Sequence, residues 1–424
     1  MIFNVNYTYD RRYFVDFSGK IEGSSKFGSN DRTAPFFSAG LGWNVHNENF
    51  LSSSNAINLL RFRFSYGTIG SQNFSSYQAL TTYRYFGQEN YKYWNGAYML
   101  GMGNPDLSWQ KTKQLNLGVE TSLFNGLVRL NVDYYNKLTE DLLTDINLPT
   151  AGGFSSYKAN VGEVRNRGIE LDANVFLIRN SESHIMWSVG GNLAHNVNKI
   201  LKISNALEFL NSELLDEAGP NPSFLYQEGQ SMNTIFVVRS LGIDPATGNE
   251  IYIKRNGELT FEYDANDKVK CGDLKPTIEG NVNTNLTWKG FTLYMLFKYQ
   301  FGAKAYNGTL ASKVEGANPY RNADKRVLYD RWKEPGDHAK FRRIDDRTSP
   351  YQTTRLVFDN DLFTLSSVSL SYELPRDISQ KFYADRVRLM LSTTDVFRLS
   401  TIKQERGTTY PFARTFNMSL NVTF

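Results

Sequence analysis

The chain has 424 residues with 29 Phe, 25 Tyr and 32 Gly but only 41% hydrophobic residues, a balance that suits many strands bearing aromatic rings better than a helical core. Its net charge is only +4, with Lys and Arg spread along the sequence, so no basic stripe points to nucleic acid. No apolar run is long enough for a transmembrane helix, and the single Cys271 excludes an internal disulfide.

Apolar and polar residues alternating between turn signals predict about thirteen strands. The first covers 2–9, with Phe3, Val5, Tyr7 and Tyr9 on one face, and Asp10-Arg11-Arg12 turns it into a second over 13–21. A Gly/Ser/Asn-rich loop leads to strands near 36–45 and 58–68; in the latter, Arg61 and Arg63 alternate with Leu60, Phe62 and Phe64, which implies one wet face. A Tyr- and Gly-rich stretch follows. Strands over 115–120 and 128–134 then flank Phe124-Asn125-Gly126, a strong local hairpin signal.

After a loop to about 165 come strands at 169–175 and 185–195 and a connection of some 80 residues. Within it, Ile243-Asp244-Pro245-Ala246-Thr247-Gly248-Asn249-Glu250 reads as a tight turn in a local hairpin. Strands 281–288 and 291–301 are joined by Lys289-Gly290, and strands near 362–374, 386–396 and 414–424 close the sequence. In the last, Phe416, Met418, Leu420, Val422 and Phe424 alternate with Asn417, Ser419, Asn421 and Thr423.

The connections sort by length. Those at 10–12, 124–127, 179–184 and 289–290 are tight, those near 46–57 and 375–385 moderate, and every intervening one is expected to be longer. Trim turns at one end and long loops at the other are the habit of outer-membrane barrels, with short periplasmic turns and long extracellular loops. The expected fold class is therefore all-β, a partial antiparallel transmembrane β-barrel. An odd strand number, together with an opening strand that no export signal precedes, predicts the C-terminal part of a longer protein, its signal peptide and first strands lying upstream.

Several segments resemble the SusC/RagA family of TonB-dependent outer-membrane transporters. They are Asn104-Pro105-Asp106-Leu107-Ser108-Trp109-Gln110-Lys111-Thr112 with Asp133-Tyr134-Tyr135-Asn136-Lys137, and Asn160-Val161-Gly162-Glu163-Val164-Arg165-Asn166-Arg167-Gly168-Ile169-Glu170-Leu171. Gly242-Ile243-Asp244-Pro245 with Thr247-Gly248, Trp288-Lys289-Gly290-Phe291, Arg331-Trp332 with Pro335-Gly336-Asp337, and a terminal aromatic residue, Phe424, follow in the family's order. The likeness spans nearly the whole chain, and departs from the family near 395–411.

This resemblance implies a 22-stranded barrel in the bacterial outer membrane, of which residues 1–424 are the C-terminal portion, lacking the N-terminal plug that engages TonB. It implies import of oligosaccharides or peptides, with a SusD-like lipoprotein as lid, outer-membrane lipid outside, and the barrel-assembly machinery reading Phe424. No catalytic group, cofactor or metal is expected, and no nucleic acid.

Tyr83, Tyr85, Tyr91, Tyr93 and Trp94 are candidate substrate contacts, since such rings stack on sugars. The same rings suit an interfacial girdle or the packing of their own loop. A passive or anchoring barrel is the nearest alternative reading, and a soluble carbohydrate-binding or hydrolytic β-protein the more distant one. For hydrolysis, Asp216-Glu217, Asp345-Asp346 and Glu170/Asp172 are available as carboxylate pairs, though spacing in sequence does not give the separation such a pair needs. His46, His184, His195 and His338 lack metal-ligand spacing, Cys271 has no recognisable base partner, and Gly101-Met102-Gly103 is too short for a phosphate loop.

Overall fold

The computed structural model describes all residues except 29–30, 52, 73, 93, 148–155, 161, 204–210, 212–224, 319, 347 and 403–412. The strands, in chain order, are β1 (Ile2–Tyr9), β2 (Tyr13–Gly23), β3 (Thr33–Asn44), β4 (Ile57–Ser71), β5 (Thr82–Tyr91), β6 (Trp94–Gly101), β7 (Gln110–Leu123), β8 (Val128–Glu140), β9 (Leu143–Asn147), β10 (Ser156–Asn160), β11 (Glu163–Asn180) and β12 (Ile185–Lys202). They continue as β13 (Thr234–Ile243), β14 (Glu250–Ile253), β15 (Leu259–Thr260), β16 (Lys268–Asp273), β17 (Ile278–Trp288), β18 (Phe291–Phe301), β19 (Lys304–Tyr306), β20 (Val357–Asp359), β21 (Leu362–Glu373), β22 (Arg386–Ser400) and β23 (Phe416–Thr423). Thirteen of them form one sheet in the order β1-β2-β3-β4-β7-β8-β11-β12-β17-β18-β21-β22-β23. Each long strand pairs with the next long strand in the chain. Two compact units divide the molecule, one built on Met1–Ala173, the other on Asn174–His195 and Met232–Phe424.

Because successive side chains in a strand point to opposite faces, the register collects like with like across neighbours. In the first unit, Tyr7, Val15, Leu41, Phe64, Leu117 and Tyr134 stand side by side on one face. One residue along, the partners are Asn6, Asp16, Gly40, Ser65, Asn116 and Tyr135. The second unit repeats the division, with Trp187, Leu286, Leu293, Leu370, Leu391 and Met418 in one row.

These apolar rows are not covered by protein. Leu41 is 51% exposed, Leu117 45%, Leu391 49% and Met418 71%, whereas a soluble sandwich would bury the equivalent residues against a second layer. A face of this kind is stable against hydrocarbon, with its polar counterpart facing a wet interior.

The short connections follow turn chemistry. Trp288 and Phe291 pair directly across Lys289 and Gly290, both at positive φ (47° and 88°), as a two-residue hairpin with the twist of its strands requires. Near the connection over 45–56, Tyr13 and Trp43 stack with centroids 6.4 Å apart, and both donate hydrogen bonds to Glu48, at 2.7 and 3.0 Å. These amphipathic rings thus keep their polar ends tied at the edge of the apolar face.

Most strands are longer than the sequence suggested, and that changes the loop rule. Pairing of β2 with β3 runs on to Gly23↔Thr33, leaving only residues 24–32 between them. That connection is shorter than 45–56 and 374–385 at the other end, so the expected strict sorting fails there. The remaining connections at the elaborate end, 72–109, 141–162, 203–277, 302–361 and 401–415, do exceed those at the trim end.

Several of these loops carry structure of their own. The Tyr- and Gly-rich stretch holds the hairpin β5–β6, the loop after β8 holds β9–β10, and the connection after β12 holds a four-stranded sheet ordered β15-β14-β13-β16. Ile243 pairs with Glu250 across the turn read from the sequence. The 302–361 loop contributes the pair β19–β20.

Candidate functional site

The polar face of the first unit is a charged wall. Arg61 pairs with Glu120 at 3.3 Å on the neighbouring strand, and Arg63 reaches over Gly118 of β7 to Asp133 of β8 at 3.1 Å. Around the second pair lies a hollow of about 420 Å3 whose lining includes Asp16, Gln114, Asn116, Lys137 and Glu170. Lys137 Nζ sits 4.6 Å from the centre of the Tyr135 ring, within cation–π range. This wall offers a ligand both signs of charge.

Above this wall, two of the resembling segments meet. The Asn160 side chain accepts a hydrogen bond from the Ser108 backbone N–H and donates to the Ser108 carbonyl, both at 2.9 Å, and donates also to the Asp141 carbonyl at 3.0 Å. Asn104 donates to the Lys158 carbonyl at 2.9 Å. Beneath them Phe27, Phe36, Phe74, Leu107 and Trp109 form a buried cluster, with Phe27 and Trp109 centroids 4.4 Å apart. The Asn104–Trp109 segment is therefore a clasp that seats the loops of this unit on one apolar core.

The second unit has an analogous clasp built differently. Glu250 and Glu315 are buried, at 4% and 3% exposed, and so is Arg342. Arg355 reaches both carboxylates, at 3.0 Å to Glu250 and 2.6 Å to Glu315, while Arg342 holds Glu315 at 2.9 Å. Thr353 donates to Glu250 at 2.7 Å. Two arginines against two glutamates leave no net charge, and the forked guanidinium bonds satisfy most of the carboxylate oxygens, which is what makes such burial tolerable. Buried Arg331 keeps its charge and has its donors satisfied by the carbonyls of Val327, Arg342, Val314 and Glu315.

Beside this network stand three tyrosines. Tyr263 and Tyr351 stack at 4.1 Å, and Tyr252 meets both edge-on. Burial, with Glu250 nearby, drives the Tyr252 hydroxyl far above its ordinary pKa, and burial pushes Tyr263 up to about 12, so both remain uncharged phenols. The Asp244 carboxyl is held below the usual range by hydrogen bonds from Thr247 first and the Ala246 backbone second. Nothing in the order of residues announced the ionic network, since Glu250 and Arg355 are far apart in the chain. The strand β13 did leave a signal, the run Ile235-Phe236-Val237-Val238, now wholly buried.

The candidate substrate contacts lie on the β5–β6 hairpin. Tyr83 and Tyr85 share one face and are 61% and 72% exposed; Trp94, beside the hairpin turn, is 77% exposed. Tyr93 and the Tyr91 side chain lie outside the described residues, as do Asp216-Glu217. Phe424 is 83% exposed, just past β23.

Of the other carboxylates of the hydrolytic alternative, Glu170 and Asp172 lie two residues apart on β11, Glu170 lining the hollow of the charged wall. Asp345 pairs with Arg343, and Asp346 with Arg342 at 2.7 Å. His46, His184 and His195 each contact a different backbone carbonyl. Among the described residues no three His, Cys, Asp or Glu gather as metal ligands. Burial raises the Cys271 thiol, against a smaller opposing effect of Lys304, which keeps it protonated and poorly nucleophilic.

Comparisons with known proteins fit this geometry. Residues 3–235 match the family model described as TonB dependent receptor-like, beta-barrel. TonB-dependent receptor P3 of Formosa agariphila is 28% identical over 99% of this chain and 45% of its own length. TonB-dependent receptor SusC of Bacteroides thetaiotaomicron is 24% identical over 83% of this chain and 37% of its own. The RagAB peptide importer, in a solved structure of its closed-closed state, covers all of this chain with 47% of its own at 25% identity and a TM-score of 0.86. The chain thus spans less than half the length of each of these three relatives.

Proposed function

The chain belongs to the TonB dependent receptor-like β-barrel family of the outer membrane, and on that premise we propose that it is the C-terminal part of an energised importer of oligosaccharides or peptides. The observation that carries this reading is the sidedness of the sheet, apolar rows exposed on one face and polar rows on the other, in both units. In that reading the remainder of the protein supplies the earlier strands and a plug that TonB pulls. A SusD-like lipoprotein closes the elaborate end, and its contacts fall on the loops that the two clasps hold in place. Tyr83, Tyr85, Tyr91, Tyr93 and Trp94 meet the ligand as it enters, and Phe424 serves barrel assembly.

Support comes from the relatives, a peptide importer among them, together with geometry that importers need: a wet face and anchored loops. The test is uptake. Cells lacking the gene should lose growth on particular oligosaccharides or peptides, and wild-type uptake of those compounds should stop when the proton gradient is collapsed. Uptake that persists without a gradient would instead indicate a passive pore.

A further inference from the structure

The apolar face of the first unit carries a hollow. Two of its rows run Tyr13, Trp43, Phe62, Val119 and Val132, then Val15, Leu41, Phe64, Leu117 and Tyr134. Val119 and Val132 stand opposite each other on β7 and β8, and their short branched side chains make a low, half-buried floor. Larger groups surround it: the rings of Trp43 and Phe62, with centroids 6.2 Å apart, on one side, and Leu117 and Tyr134 in the next row. The space enclosed is about 740 Å3, and its lining is almost wholly apolar.

In the second unit the row Leu286, Leu293, Leu370 and Leu391 has no short side chain to open such a floor. The hollow also has a defined entrance. Tyr13 begins β2 directly after the turn at residues 10–12, and the hydrogen bonds of Tyr13 and Trp43 to Glu48 mark the level at which the apolar face meets water. In that turn Arg12 is held by Asp10 at 3.1 Å and by Glu48 at 3.3 Å, while Arg11 is exposed, at a φ of 55°. The turn beside the hollow thus presents an exposed cation.

We propose that this hollow is a binding site for one acyl chain of a phospholipid, drawn from the leaflet on the side of the short turns, with the lipid phosphate facing Arg11. The proposal rests on the outer-membrane placement of the sheet and not on the cargo. Hydrocarbon already surrounds this face, so removal from water favours no lipid over its neighbours. What the hollow adds is attraction from several walls at once, since a carbon with partner atoms on one side only forfeits much of its dispersion energy. A chain lying along the Val119–Val132 floor, with rows about 7 Å apart, touches rings and branched methyl groups on both flanks. Its phosphate then lies at the level of the turn, where a guanidinium holds such a group with paired hydrogen bonds. The result is a lipid that stays with the protein while those around it exchange. A glycolipid of the opposite leaflet would bring its head to the other end of the strands, away from Arg11.

The test uses the full-length protein in vesicles of phosphatidylethanolamine and phosphatidylglycerol, doped with a phosphatidylcholine that carries a photoactivatable diazirine on one acyl chain. After irradiation the modified peptides are mapped by mass spectrometry. Adducts over 62–64, 117–119 and 132–134 should exceed those over 389–391 and 418–420 by about tenfold, the equivalent of ~1.4 kcal/mol. A diazirine close to the carboxyl should favour the Phe62 row, and one further along the chain the Phe64 row. Val132→Trp fills the floor and should bring the excess down to the level of the second unit; Val119→Phe repeats the test should that variant not insert, with adducts over 389–391 unchanged in either. Arg11→Gln should lower the excess by about threefold, the scale of one exposed ionic contact. Equal labelling of the two units, as ordinary boundary lipid would give, overturns the proposal. So does an excess that Val132→Trp or Arg11→Gln leaves intact, a reversed order of the two diazirines, or a hollow free of adducts. Labelling involves no transport, so such a result leaves the uptake test standing, and a failed uptake test leaves this one standing.

Discussion

The indole of Trp332 lies across Gly248: a Cβ built on that glycine would stand 2.5 Å from the ring, and Trp332 Nε1 donates to the Pro245 carbonyl at 2.9 Å. Gly336 N–H donates to the same carbonyl, also at 2.9 Å. Two short segments some eighty-odd residues apart, 242–248 and 331–337, are thus one clasp on the loops of the second unit.

Gly248 has φ of +74° as well as the indole above it, so Gly248→Ala meets both backbone strain and overpacking, at a cost of about 1–3 kcal/mol. Trp332→Phe keeps an aromatic ring and loses the hydrogen bond, a smaller penalty of about 1 kcal/mol. Limited proteolysis of intact cells should cut the loops 232–277 and 302–361 faster in the first variant than in the second. Equal protection in Gly248→Ala would show that the clasp does not hold them.

Arg355→Met should be the most damaging single change in the loops. It leaves the buried Glu250 without its arginine and Glu315 with Arg342 alone, and breaking a buried pair in this way costs about 3–5 kcal/mol. Arg355→Lys keeps the charge but not the fork, and should fall between. The measurement is the midpoint of local unfolding followed by hydrogen exchange over 250–253 and 310–315.

Asn160→Ala removes three hydrogen bonds to backbone groups and leaves partly buried partners unsatisfied, at about 1–3 kcal/mol. Asn160→Asp retains the acceptor for Ser108 N–H but sets a carboxylate against two carbonyls, and should be no better. Exchange of the Ser108 amide reports the effect, and an unchanged rate in both variants would remove the clasp from this unit.

Acid should loosen the trim end near Trp43. Hydrogen bonds from Tyr13 first and Trp43 second hold the Glu48 carboxyl below its usual pKa. A depressed carboxyl contributes stability that is present above the unfolded pKa of about 4.3 and is lost as pH falls through the lower folded value. Trp43 fluorescence should therefore stay constant from neutral pH to about 5 and change below about 4, with the change absent in Glu48→Gln.

Local pattern alone was enough for the sheet. Val5, Tyr7 and Tyr9, or Leu389 and Leu391 with Met418 and Leu420, alternate because lipid and water meet on opposite sides of a strand, and that period survives in any one segment without knowledge of its neighbours. The turns at Asp10-Arg11 and Lys289-Gly290 were legible for the same reason, since positive φ is a property of a few adjacent residues. The resembling segments were also visible, but not that they meet in pairs. What holds the loops, Arg355 between Glu250 and Glu315, Trp332 over Gly248 and Asn160 on Ser108, joins residues distant along the chain, and such contacts have no period to read. The charged wall and the apolar hollow were likewise decided by the tertiary structure, because only the register between strands says which of many scattered residues stand in the same row.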